Sequence, residues 1–383
     1  MSDKKNPKDF KTKINDIMKT DAAEKFLASF LAILSGLLLG FIIMIIVRPG
    51  ASFGGFATIL TGGFQQGTQS LGRVLHFSTP LILAGLSVAF AFKAGLFNIG
   101  ATGQITMGGF VAIYIGVQWT WLPGPLHWIV AILGAMVMGA IWGAIPGLLK
   151  AYRNVHEVVA TIMMNYIAMY LVQILIVATV YNENRNETRT VPVSARIPRF
   201  GLDVIFPRSN VTFGIILAII AAIVIYIILY KTTLGYQLRM VGSNKDAAKY
   251  AGINEKRNIV YSMVIAGALA GLAGATIYLS PAGRHIEVVS FLLPEGFEGI
   301  AVALLGMSNP IGVIFAGLFF GYIKVGGFFM QSWGFEPEII DIIIASIIYF
   351  SALSMVFRKR AVYILRKLLF KRDRGDDNEE SVD

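Results

Sequence analysis

The chain has 383 residues, of which 55% are hydrophobic and 15% charged, where soluble domains carry about 25% charged residues. It has no cysteine, which excludes disulfides, thiolate catalysis and cysteine-based metal sites. The formal net charge is +10, which beside apolar runs of about 20 residues is first a matter of membrane topology.

Residues 1–25 are polar and mix Lys4, Lys5, Lys8, Lys11 and Lys13 with Asp3, Asp9 and Asp16. They read as a cytoplasmic N-terminal segment. The apolar run at 26–47 is too long for a signal-peptide core and has no A-x-A cleavage site, so it reads as a first spanning helix. Further spans are expected at 76–92, 104–122, 126–149, 158–180, 211–230, 258–279, 297–307, 311–330 and 338–357. The fold class is therefore all-α, a polytopic helix bundle of about ten spans over 26–357. The run at 297–307 is too short to cross alone and reads as a half-helix or re-entrant segment.

Lysines and arginines set the orientation. Lys150 and Arg153 mark an inner loop, and so do Lys231, Arg239, Lys245, Lys249, Lys256 and Arg257 across 231–257. The charged tail at 358–383, with Arg358, Lys359, Arg360, Arg366, Lys367, Lys371 and Arg372, is also inner. Both termini are then cytoplasmic, and the loop at 181–210 is external although it carries Arg185, Arg189, Arg196, Arg199 and Arg208. That loop is either a solvated surface or one that meets an acidic partner.

Glycines recur every four residues at 139, 143 and 147, and in pairs at 36 and 40, 267 and 271, and 317 and 321. Small residues at this spacing let helix backbones approach closely in lipid. Each half of the chain has a glycine-broken polar segment followed by a glycine-rich span, at 95–116 and 296–321. This is the pattern of two inverted five-span repeats.

Motifs for catalysis are missing. No G-x-x-x-x-G-K-[ST] loop exists, so this chain has no phosphate-binding loop of its own. His156-Glu157-Val158-Val159-Ala160 starts like a zinc-protease motif, but Ala160 stands where the second histidine ligand would be. No metal site, no cofactor and no enzymatic activity are expected.

Two segments stand out. "KAGLFNIGATGQITMGG" at 93–109 has five glycines, which make a continuous helix poor. Non-helical backbone at membrane depth survives only against protein or a watery cavity. Asn98 and Gln104 either offer amides to a polar solute there or satisfy the broken backbone, and Phe97 could stack on a ring. Asn165 is the best buried polar candidate of the later spans. Glu157 lies close to Lys150 and Arg153, and Glu298 and Asp341 could serve as ion sites in an ion-coupled carrier. The second segment is "TTLGYQLRMVGSNKDAAKYAGINEKRN" at 232–258. Ser243 or Asn244 is a good N-cap, Asp246 suits the first turn and Gly252 suits the stop. A helix of about two turns follows, with Ala247 and Ala248 as a small surface. It fits either a groove on a partner protein or the membrane surface.

The pattern T-x-x-G-x-x-x-R-x-V-G-x-N-x-x-A-A-x-x-A-G-I, from Thr232 to Ile253, resembles the cytoplasmic ATPase-coupling loop of ABC-importer permeases. The branch is the one for simple sugars, nucleosides and branched-chain amino acids. "FKAGLFNIGATGQ" at 92–104, "HEVVATIMMNYIA" at 156–168 and "EGFEGIAVALLGMSNPIG" at 295–312 resemble its nucleoside-type members, though Thr102 stands where the family often has Glu. The resemblance runs from about residue 75 to 330.

It implies a permease subunit for nucleosides in a bacterial plasma membrane. A second permease, commonly a homologue, would complete the pathway, with ABC ATPase subunits below and an external substrate-binding lipoprotein above. Residues 242–252 would then couple to the ATPase through Gly242, Ser243, Asn244, Ala247, Ala248 and Gly252. Phe97, Asn98, Gln104, Asn165 and Glu298 would line the solute pathway. Simple sugars or branched-chain amino acids remain alternative cargoes. An ion-coupled secondary transporter is the rival of a different class. Nucleic acid is not an expected partner.

Overall fold

The computed structural model describes residues 21–353, with side-chain burial described from residue 27 onward. The N-terminal segment up to residue 20 and the charged tail at 358–383 lie outside the described residues. Among the described residues, helices dominate. They are α1 (Asp21–Val47), α2 (Ser52–Thr61), α3 (Thr68–Lys93), α4 (Ala101–Gln118), α5 (Gly124–Arg153), α6 (Glu157–Thr179) and α7 (Leu202–Ile205). There follow α8 (Gly214–Lys231), α9 (Thr233–Ser243), α10 (Lys245–Tyr250), α11 (Glu255–Tyr278), α12 (Pro294–Leu305), α13 (Pro310–Met330) and α14 at 338–353. Seven of these are long and apolar enough to cross a membrane: α1, α3, α5, α6, α8, α11 and α13.

Each of the ten expected spans overlaps a helix, with ends shifted by a few residues. The largest shift is in α3, which begins at Thr68 rather than near 76. The elements that were not expected include these three. One is the short α2. The second is α9, whose glycines and polar residues hid a helix that Thr232 caps by accepting from the Gly235 N–H at 3.2 Å. The third is a two-stranded hairpin in the loop at 181–210, β1 (Tyr181–Asn182) against β2 (Glu187–Thr188), antiparallel with Tyr181 opposite Thr188.

The chain divides into two compact units. One holds α1 and the part of α14 from Asp341 onward. In it Gly36 and Gly40 face Ile347 and Ile343, where a larger side chain would collide. The other unit, 53–340, holds the remaining elements. Its centre is α11, packed against α5, α4 and α3, while α3 also carries α12 and α13.

The glycine spacing explains this centre. A Cβ on Gly139 would strike the carbonyl oxygen of Gly267, and one on Gly271 would strike that of Ala135. Gly143 and Gly147 sit against Met263. The expected small-residue stripes of α5 and α11 thus face each other and bring two backbones into contact, which is the packing that holds helices together where lipid offers no hydrophobic drive. Gly317 and Gly321 perform the same task between α13 and α3, against Ile82 and Ser78.

His127, at the start of α5, is fully buried. Its Nε2 lies 3.1 Å from the Ile115 carbonyl and its Nδ1 lies 3.0 Å from Ser194 Oγ. A carbonyl only accepts, so Nε2 carries the proton and Nδ1 accepts from the serine hydroxyl. This histidine ties the end of α4 to the loop before α7. His127→Ala is expected to cost about 1–3 kcal/mol, because it leaves a buried carbonyl without its donor. A lowered thermal midpoint of the detergent-solubilised protein checks this, and an unchanged midpoint contradicts it.

Candidate functional site

The break between α3 and α4 runs from Ala94 to Gly100. Gly95 has φ +74°, a conformation that side chains other than glycine rarely adopt. Three amides close the break. Asn98 Nδ2 donates to Gln104 Oε1 at 3.1 Å, and Gln104 Nε2 donates back to Asn98 Oδ1 at 3.3 Å. The Gly100 N–H also donates to Asn98 Oδ1, at 3.1 Å. Asn165, on α6, accepts from the Gly103 N–H at 2.8 Å and donates to the Ile99 carbonyl at 3.1 Å. All three side chains are buried. Asn98 thus satisfies one N–H of the broken backbone, while the Gln104 side chain bonds to that of Asn98. Phe97 stacks on Phe92, with ring centroids 5.1 Å apart.

Glu298 lies elsewhere, buried on α12, with Oε2 2.7 Å from Lys324 Nζ on α13. Asp341, the other candidate ion site, is exposed. Glu157 pairs with Lys150 at 2.8 Å, as their proximity in sequence implied.

A cavity of about 560 Å³ adjoins that ion pair. Pockets of about 300–1,000 Å³ suit small organic ligands. Its polar wall is formed by Arg73 and His76 of α3, Asn210, Arg284, Glu295 and Lys324. Phe77 and Phe328 supply aromatic surface. Pro80 also lines it and has no N–H to give to the His76 carbonyl one turn earlier. Arg284 forms an ion pair with Glu295. Burial lowers the arginine pKa, but the adjacent Glu295 more than offsets this and raises it overall, so Arg284 stays charged.

A second cavity of about 430 Å³ shares Arg284 with the first and is lined by Thr106, Gln173, Tyr278 and His285. The loop that carries Arg284 is bonded to the β-hairpin. The Thr188 N–H donates to the Ile286 carbonyl at 3.0 Å, and the Val288 N–H donates to the Asn186 carbonyl at 3.0 Å. Neither cavity is lined by Phe97, Asn98, Gln104 or Asn165. The residues around Arg284 were missed because they come from four distant stretches of sequence. Glu295 and Glu298 of "EGFEG" and Lys324, as ionisable groups near spans, were the visible signals.

The break connects to this cavity. Thr102 Oγ1 donates to the Leu293 carbonyl at 3.3 Å, and Gly296 lies against the Thr102 backbone. At its other end the break meets the segment expected to couple to an ATPase. A Cβ on Gly242 would lie 2.7 Å from the Gly95 nitrogen and 2.8 Å from the Ala94 carbonyl carbon.

In α10 the Asn244 side chain accepts from the Ala247 N–H at 3.0 Å, and Gly252 has φ +74° past its end. Ser243 and Ala247 are exposed, but Ala248 is fully buried, so the small surface drawn from the sequence loses one of its two alanines. Helical phase explains this: one of two adjacent residues must turn inward. Tyr250 is 95% exposed on the outer side. Asn244→Ala is expected to cost α10 about 1 kcal/mol by removing its N-cap. Faster hydrogen exchange of the Ala247 amide checks this, and unchanged exchange contradicts it.

Residues 70–352 match the family described as the branched-chain amino acid transport system permease component. The chain is 39% identical to the guanosine ABC transporter permease protein NupP of Bacillus subtilis, over 87% of this chain and 94% of that one. It is 36% identical to the nucleoside ABC transporter permease protein NupB of Lactococcus lactis, over 87% and 92%. A second Bacillus subtilis protein, the guanosine ABC transporter permease NupQ, is 29% identical over 65% and 79%. No solved structure matches. Spanning helices, an ATPase-type coupling pattern and similarity across nearly the whole length converge: the chain belongs to the permease-component family of the branched-chain amino acid transport systems, as a non-catalytic transport subunit of an ABC transporter.

Proposed function

We propose that the chain is the membrane subunit through which an ATP-driven importer passes nucleosides. The carrying observation is near-full-length similarity to two permeases named for guanosine and for nucleosides. The cavity agrees in chemistry, since its wall includes both aromatic side chains and hydrogen-bonding groups.

The ten expected segments then make up the membrane bundle, with α12 as a short half-helix or re-entrant arm, and both termini are cytoplasmic. The two glycine-broken segments belong to inverted repeats and meet at Thr102 and Gly296. ABC ATPase subunits dock on α9 and α10, where Ala247 and Tyr250 are exposed. A second, homologous permease completes the pathway; the pair of relatives in Bacillus subtilis supports this. An external binding lipoprotein delivers solute to the face formed by the loop at 181–210 and the hairpin.

Movement of α9 reaches the cavity through contacts already described: Gly242 on Gly95, the amide-closed break, then Thr102 on Leu293 and Gly296. The chain supplies this path and the cavity walls; the ATPases supply the energy.

Uptake of labelled guanosine, uridine, ribose and leucine in cells with and without the chain tests the cargo. Loss of guanosine and uridine uptake alone is expected. Loss of leucine or ribose uptake with nucleosides unaffected would overturn the nucleoside reading.

A further inference from the structure

Glu295 is 6% exposed. Arg284 holds its Oε1, while its Oε2 is buried with no hydrogen-bond partner. A carboxylate oxygen in this state favours any donor that reaches it. Lys324, in the same cavity wall, has three N–H donors and uses one toward Glu298. The cavity wall therefore combines an acceptor with cationic donors.

That combination selects among the parts of a nucleoside. Base edges also mix donors and acceptors, but their arrangement differs from one nucleoside to the next, whereas the ribose is common to all ribonucleosides. A vicinal pair of hydroxyls satisfies both the acceptor and the donors, since each hydroxyl donates one hydrogen bond and accepts others. Phe77 and Phe328, in the same wall, offer aromatic surface to the base.

Resting on the nucleoside reading above, we propose that Glu295, with Lys324 and Arg284, is the contact for the 2′- and 3′-hydroxyls of the ribose, which makes the permease itself selective for ribonucleosides. Arg284 stays on Oε1. Its side chain is 44% exposed, and contact of Oε2 with the hydroxyls requires the Glu295 carboxylate to rotate about its own side-chain bonds.

The test compares saturating uptake of labelled guanosine and 2′-deoxyguanosine by the complete transporter, wild type against Glu295→Gln. The binding protein is the same in both, so a change in the ratio reports the permease. The ribo-to-deoxy ratio is expected to fall about tenfold in the variant, the effect of one hydrogen bond to a charged acceptor. An unchanged ratio with measurable guanosine uptake would overturn the hydroxyl contact and leave the nucleoside reading standing. Uptake of leucine in place of any nucleoside would instead remove that reading.

Should Glu295→Gln fail to reach the membrane, equilibrium dialysis of the two labelled nucleosides against the wild-type permease–ATPase complex, without binding protein, decides. Retention of guanosine above 2′-deoxyguanosine supports the proposal. Equal retention, or none of either, contradicts it.

Discussion

Asn165→Ala is expected to destabilise the permease by about 2–4 kcal/mol, from about 1–3 kcal/mol for each of two buried backbone groups left without a partner, reduced where the backbone finds others. The two groups are the Gly103 N–H and the Ile99 carbonyl. No water reaches them to replace the amide, since Asn165, Gly103 and the neighbouring Thr102 are buried. Gly103 also packs against the Asn165 backbone, with a built Cβ only 3.0 Å from its Cα, so the break and α6 cannot separate to relax the loss. The thermal midpoint of purified protein should drop. In the surviving fraction, the ratio of guanosine to 2′-deoxyguanosine uptake should stay as in wild type, because Asn165 does not line the polar cavity. A changed ratio with an unchanged midpoint would return Asn165 to the solute pathway.

Gly242→Val is expected to lower guanosine uptake by about tenfold or more while the ATPase still co-purifies. A valine there must displace the Lys93–Gly95 turn, and overpacking of this kind costs about 1–3 kcal/mol. Lys93, Ala94 and Gly95 present main-chain atoms at this contact, which cannot rotate away as a flexible side chain would. The docking side chains on α10 are untouched, so the loss falls on transmission rather than on assembly. Gly124→Ala is the control, because a Cβ on Gly124 meets nothing within 4 Å. Normal uptake by Gly242→Val would show that α9 and the break move independently.

Sequence periodicity made most of the helices legible because long apolar runs admit few alternatives in lipid. The stripe of Gly139, Gly143 and Gly147 even identified a helix interface, though not its partner; the match to Gly267 and Gly271 needed the fold. The α10 cap and stop were also legible, since Asn and Gly do local work there that depends on no distant contact.

Tertiary context decided the rest. Asn98, Gln104 and Asn165 read the same in sequence whether they meet a solute or close a backbone break, and the partners they have came only with the fold. α9 was hidden because its glycines lower helix propensity, while Gly235 and Gly242 serve close packing against Leu229 and Gly95. The cavity draws Arg73, Asn210, Arg284 and Lys324 from segments that no local pattern joins.

The most direct measurement is labelled guanosine uptake in cells that lack the chain and in cells that regain it, with ATP depleted or with an uncoupler added at constant ATP. Uptake that returns with the chain, fails on ATP depletion and survives the uncoupler is the predicted result. Uptake that survives ATP depletion and collapses with the uncoupler would contradict an ATP-driven nucleoside permease and make this protein an ion-coupled carrier.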